Sequence, residues 1–280
     1  MAYEAPICRT NPGCIVLLID QSGSMADTWG ATTGQTKDKG VATAINRLLH
    51  NLVLKCCTDD GVRSYYDIGV IAYHDPLKGG ISVESAFGGP LAGRDLVSIV
   101  EVAENPLRLE ERVKEEVNET GEVIKKKVKF PIWIELHPDG GRPLSAALRH
   151  AYVILADWVR RHPDSYPPLV INITDGEATD GDPLIDAQRL MDLKTIDGHV
   201  LLFHCMISAR PGQVFFPAHE DELPNDRCSR LLFKVASELP PIILAEMKRE
   251  FSVQEGARGF VADLVDVIRF LAIGTRVEYR

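Results

Sequence analysis

The chain reads as a three-layer, Rossmann-like α/β fold, a doubly wound and mainly parallel sheet with helices on both faces. Three observations predict it. Short apolar runs rich in β-branched residues are bounded by turn signals, as strands buried on both faces should be. Stretches with apolar residues at helical spacing separate those runs. The two kinds of segment alternate, and that order folds into a parallel sheet covered by helices.

The first run is Gly13–Ile19, ending on Asp20, and the second is Tyr66–Tyr73. Leu169–Thr174 and His199–Ile207 are the third and fourth. Between the first two, Lys39–Lys55 places Val41, Ala44, Ile45, Leu48, Leu49 and Leu52 on one helical face. Leu144–Arg160 does the same with Leu144, Ala147, Leu148, Ala151, Ile154, Leu155 and Trp158. Asp182–Leu193 opens with an acidic cap and Pro183 at the first helical position. Helices are expected near Asp226–Glu238, Ile242–Phe251 and Asp263–Ala272, with a short strand near Gly259–Ala262.

Residues 77–136 interrupt the alternation. Gly79, Gly80, Gly88, Gly89 and Gly93 give way to Leu96–Val102, then to a charged stretch, Leu107–Val117, that reads as helix. Thr120-Gly121 looks like a turn, and Glu122–Leu136 tends towards a strand. This is expected to be an inserted β-meander with a short helix on one edge of the sheet. The whole chain, 1–280, is expected to form one domain, with extra C-terminal helices over about 226–272.

Composition narrows the function. With 40 acidic against 31 basic residues the net charge is −9, which disfavours a nucleic-acid surface. Nothing approaches 18 uninterrupted apolar residues, so no membrane span is expected. The first residues lack a basic region followed by an apolar run, and the six cysteines show no C-x-x-C spacing. A cytoplasmic protein in a reducing compartment is the expectation.

In open parallel sheets the binding crevice lies beyond the carboxyl ends of the strands. Asp20-Gln-Ser22-Gly-Ser24 follows the first run there. A carboxylate and two hydroxyls at alternate positions can converge as the chain turns. They are hard oxygen donors suited to Mg²⁺, Mn²⁺ or Ca²⁺, and Asp175, after the third run, could complete the set. His74 and Asp75 end the second run on the same side, and Trp29 lies in the loop 26–38, so all three are candidates for the rim of a partner site.

Three blocks, Ile19-Asp-Gln-Ser-Gly-Ser-Met25, Gly140-Gly-Arg-Pro-Leu-Ser-Ala-Ala-Leu148 and Ile173-Thr-Asp-Gly176, resemble in kind and order the von Willebrand factor A (vWA) domains that carry a metal-ion-dependent adhesion site. Within that family the chain looks most like stand-alone bacterial members from tellurite-resistance and related stress or conflict operons. The resemblance implies that Asp20, Ser22, Ser24 and Asp175 are metal ligands and that Gly141 and Arg142 lie on the rim. It implies an adaptor module that recognises an acidic group on a partner protein, with a kinase, phosphatase or ATPase encoded nearby as possible partner.

One departure stands out. The family's remaining ligand is the threonine of Gly-x-Thr-Pro-Leu, and Arg142 occupies that place. A guanidinium stays protonated and cannot coordinate a cation. A divalent ion about 5 Å from it would be repelled by on the order of 6–7 kcal/mol at an effective dielectric near 20. Either Arg142 swings outward and a Mg²⁺ remains, or its charge sits near Asp20 and Asp175 in place of the metal. In the second case a structural subunit with a degenerate, metal-free site becomes the alternative. A metal-dependent phosphoesterase or hydrolase is a third reading. It would want a second carboxylate or a reaching lysine beside Asp20, or a G-x-S-x-G elbow at Ser22, and neither is present.

The Lys125-Lys-Lys-Val-Lys129 run lies beside the acidic residues of 110–119. It is read as a solvated face or an intramolecular charge partner.

Overall fold

Every residue of β1 (Gly13–Asp20) is buried, which requires sheet neighbours on both edges and helices on both faces. Those neighbours are β2 (Tyr66–His74) and β7 (Leu169–Thr174), both parallel to it. The structure, a computed structural model, describes residues 3–28, 34–117, 123–207 and 214–262.

Beyond β2 lie β3 (Ser82–Ser85) and β4 (Val97–Ser98), both antiparallel to it. Beyond β7 come β8 (Leu201–Met206) and β10 (Phe260–Ala262), both parallel, and then β9 (Val214–Phe215), antiparallel at the far edge. The order across the sheet is β9-β10-β8-β7-β1-β2-β3, with β4 also on β2.

Alternation along the strands sorts the side chains into two cores. Ile15, Leu17, Ile19, Ile171, Ile173 and Phe203 face α1 (Lys37–Cys56), α2 (Ile99–Glu104) and α6 (Pro241–Glu250). Val16, Leu18, Ile71, Val170 and Leu202 face α3 (Leu144–Arg161), α4 (Leu184–Asp192) and α5 (Arg227–Lys234). Trp158 of α3 is fully buried on that second face and donates its Nε1–H to Asp67 Oδ2 at 2.8 Å. The result is the expected doubly wound, mainly parallel sheet between two helical layers.

The segment 77–136 corrects one expectation. Residues read as a charged helix form β5 (Arg108–Val117), paired through ten positions with β6 (Val123–Ile132) in a ribbon of its own. Spaced glutamates and lysines favour a helix locally, but the facing strand supplies the same charge pairs. Glu111 is opposite Lys129, and Lys127 reaches its carboxylate at 3.1 Å. On the inner face Arg112 lies 3.8 Å over the Phe130 ring. The helix of this region is α2, closed by a capping box between Ser98 and Glu101.

Asn46, buried in α1, fixes the chain leaving the ribbon. Its Oδ1 accepts from the Trp133 N–H at 2.8 Å, and its Nδ2 donates to the Ile134 carbonyl at 3.1 Å. At the C-terminal end α5 and α6 are present, shorter than expected for α5. The helix expected near Asp263–Ala272 and the turn at Thr120-Gly121 lie outside the described residues.

Candidate functional site

Four segments meet above the carboxyl ends of β1, β2 and β7, and backbone hydrogen bonds tie them together. After β1 a short 3₁₀ turn, Gly23–Ala26, is pinned by the fully buried Met25. Gly23 N–H donates to the Gly140 carbonyl at 2.9 Å, and Asp139 N–H to that of Gln21 at 2.7 Å. Asp75, just past β2, exchanges two backbone bonds with Gly141, at 2.8 and 3.1 Å. Gly140 has φ +66°, and a Cβ there would overlap the Asp75 carbonyl oxygen, so glycine is required. The loop after β7 joins through Thr179, whose N–H donates to the Arg142 carbonyl at 2.8 Å and whose Oγ1 accepts the Arg142 N–H at 2.7 Å.

This framework brings Asp20, Ser22, Ser24 and Asp175 together, and Arg142 lies among them. Its Nε–H donates to Asp20 Oδ2. Its Nη2 faces Asp175 Oδ1, Ser22 Oγ at 2.9 Å and Ser24 Oγ at 2.7 Å. Nη1 donates to the Glu177 carbonyl at 2.9 Å. Of the two placements the sequence left open for this side chain, the structure has the inward one. Burial works against the guanidinium charge, but the Asp20 and Asp175 carboxylates outweigh it and raise its pKa above the ordinary arginine value.

The carboxylates have further partners. Asp20 is fully buried and also accepts from Ser22 N–H and Thr174 Oγ1–H, each at 2.7 Å. Asp175 takes the Ser24 hydroxyl at 2.8 Å on one oxygen and Lys37 Nζ at 2.7 Å on the other. Lys37 Nζ also donates to the Ser24 carbonyl at 3.2 Å. Two buried carboxylates therefore meet two cations of the same chain, with exposed Asp27 at 3.7 Å from Lys37 as a third acidic neighbour.

Beneath the site Tyr73 Oη donates to Asn172 Oδ1 at 2.7 Å, and Asn172 Nδ2 lies 3.2 Å from Nδ1 of the fully buried His204. Burial and the charge of Asp20 push the Tyr73 pKa well up. Burial pulls that of His204 down to about 3.

Of the expected rim residues, Gly141 and Asp75 serve through their backbones, and His74 is half-buried with Nδ1 unpartnered. Trp29 lies outside the described residues. The loop after β2, just past Asp75, carries Leu77, which is 90% exposed. Sequence reasoning missed Lys37, Thr174, Thr179 and Asp180. The Asp180 carboxylate caps α3 by accepting the Ser145 and Ala146 N–H groups at 3.1 and 2.8 Å. Lys37 carried a signal, because a cation in the first turn of a helix opposes the macrodipole and needs an anion nearby.

The oxygen donors are of the right kind for a hard divalent ion, but the residues present do not fit one. The guanidinium edge lies where Asp20, Ser22, Ser24 and Asp175 converge, and it brings a positive charge instead of a donor atom. Among the described residues, no group of three or more His, Cys, Asp or Glu side chains is gathered to hold a metal.

No protein-family model matches the chain, and no curated protein sequence matches it. Solved structures do. The vWF domain of the type V pilus tip protein Mfa5 from Porphyromonas gingivalis matches over 60% of this chain and 39% of its own, at 15% identity and a TM-score of 0.33. A structure of three N-terminal domains of that protein matches over 60% and 20%, at 17% identity and 0.32. The PilB minor pilin from Streptococcus sanguinis matches over 59% and 30%, at 11% identity and 0.33. The chain spans between 20% and 39% of the length of these proteins. The fold is a three-layer α/β one, a mainly parallel sheet between two helical layers. Among the described residues no helix is long and apolar enough to cross a membrane.

Proposed function

We propose that this vWA-like domain is a non-catalytic protein-interaction module that docks a partner on the rim above the strand ends. The observation that carries the reading is the complete engagement of the polar groups there. Asp20, Asp175, Ser22 and Ser24 all face Arg142, so none is free as nucleophile or base, and the loops around them are tied into a rigid platform. Rigid loop platforms suit recognition, because little ordering entropy is lost on docking. Leu77 adds an exposed apolar side chain to that platform. An acidic group on the partner would meet the Arg142 guanidinium, whose Nη1 has one N–H beyond that given to Glu177.

A photo-cross-linker at Leu77, in the organism that makes the protein, tests this. A discrete adduct from position 77, absent from position 54 on the far side of α1, is expected. Adducts from position 54 alone would refute the docking face. Turnover of a generic phosphoester that disappears in Asp20→Ala would refute the non-catalytic reading. Placement in a bacterial stress or defence system rests on the sequence resemblance, and the genes adjoining this one would test it.

A further inference from the structure

We infer that Arg142 and Lys37 are the resident cations of this site: the chain itself supplies the positive charge that a divalent ion would bring to the same oxygens. The site is then formed without added metal, and a partner meets it in one permanent state. This deepens the reading of the rim as a docking face, but it concerns the free protein and can be tested without any partner.

Four observations carry it. First, the Nε–Nη2 edge of Arg142 reaches oxygens of Asp20, Asp175, Ser22 and Ser24 together, so it occupies their common focus instead of bordering it. Second, the chain has made room for the planar group. Gly176 lies under it, and a Cβ at that position would stand 2.6 Å from Nη1 and 3.1 Å from Cζ. Third, the residue is held at both ends. Its backbone N–H and carbonyl bond to Thr179 on the loop after β7. An outward swing of its side chain would break contacts on two loops, to the Glu177 carbonyl after β7 and to Ser22 and Ser24 after β1.

Fourth, a second cation completes the balance. Lys37 Nζ binds the Asp175 oxygen opposite the one facing Arg142, and its side chain is as sheltered as that of Arg142, 11% against 12% exposed. The two carboxylates are thereby neutralised by two fixed charges. A divalent ion arriving there would meet two like charges at short range and no unengaged acceptor.

The test uses the full chain and two readouts, Mn²⁺ binding by electron paramagnetic resonance and the melting temperature with Mn²⁺, Mg²⁺ or chelator. The wild type is expected to bind no Mn²⁺ at the site and to melt at one temperature in all three solutions. Arg142→Thr is expected to bind one Mn²⁺ per chain and to melt higher with the ion than with chelator. Adding Lys37→Gln should tighten that binding roughly tenfold or more, since it removes a like charge within a few ångströms. Adding Asp20→Ala should abolish it. Stoichiometric Mn²⁺ binding by the wild type that is lost in Asp20→Ala would overturn the inference. So would a folded Arg142→Thr that binds no ion. If Arg142→Thr does not fold, the wild-type pair alone decides: binding lost in Asp20→Ala overturns the inference, and no binding with an unmoved melting temperature supports it.

Discussion

Replacing Arg142 by methionine keeps most of the side-chain volume and removes the charge, so it isolates the guanidinium's contribution. Removing one member of a buried ion pair costs about 3–5 kcal/mol, because the other charge is left without its partner. Here the loss falls on Asp20, which is fully buried and keeps as donors Ser22 N–H and Thr174 Oγ1–H at 2.7 Å and the more distant Asp175 N–H at 3.4 Å. Asp175 keeps Lys37 at 2.7 Å, and the Ser22 and Ser24 hydroxyls keep each other at 3.2 Å. The cost is therefore expected near the lower bound, about 3 kcal/mol. For a chain of 280 residues the unfolding entropy is roughly 0.6 kcal/mol per kelvin, so the melting temperature should fall by about 5 °C. Urea unfolding in chelator measures this directly. Arg160→Met is the control, because its ion pair with Asp157 is exposed and screened by solvent and should leave the urea midpoint almost unmoved. Arg142→Lys should fall between them, since one ammonium cannot bridge both carboxylates as the planar fork does. Equal, small losses in Arg142→Met and Arg160→Met would refute the reasoning, because a buried, paired guanidinium cannot be removed so cheaply.

Three further outcomes follow from other parts of the structure. Gly140→Ala should cost about 3 kcal/mol or more or leave the protein insoluble, since the new Cβ would collide with the Asp75 carbonyl at a φ that L-residues disfavour; expression yield and urea midpoint report it. Asp180→Ala removes the acceptor for two N–H groups at the start of α3 and should cost about 1–2 kcal/mol by the same assay. His204 has a folded pKa of about 3 against an ordinary value near 6.5, so the unfolded chain binds the extra proton in between. Stability is then complete above about pH 6.5 and falls as the pH drops towards 3, with about 2 kcal/mol gone at pH 5. The slope of unfolding free energy against pH between 5 and 7 should flatten in His204→Asn, and an unchanged slope would remove His204 as its source.

The layers and the central strands were legible because β1, β2, β7 and β8 are buried on both faces, and burial writes itself as unbroken β-branched runs. The short antiparallel edges, β3 and β4, leave no such trace. The β5 misreading has the same root. A solvent-facing ribbon has no buried run, and its evenly spaced charges satisfy a helix and a strand alike until the pairing partner is known. At the site, the Asp-x-Ser-x-Ser pattern and the aspartate of Thr-Asp-Gly pointed to one focus, because strand ends in a parallel sheet are fixed relative to one another. What filled that focus was not legible. Whether Arg142 turns in or out depends on the space left by Gly176 and on Thr179, over thirty residues away in sequence. Lys37 lies farther still from Asp175, and only its unfavourable place at a helix start hinted at a distant anion.

The tied loops carry one more consequence. Asp20, Lys37, Asp75, Arg142 and Thr179 belong to five separate stretches of the chain, and every tie among them runs between stretches. Loosening any one of them leaves a charge or a backbone group on another without its partner, so the rim has no weakest loop that can open alone. Amide hydrogens at Gly23, Gly141 and Thr179 should then exchange with solvent at similar slow rates, close to that of the strands beneath, where surface loops ordinarily exchange fast and independently.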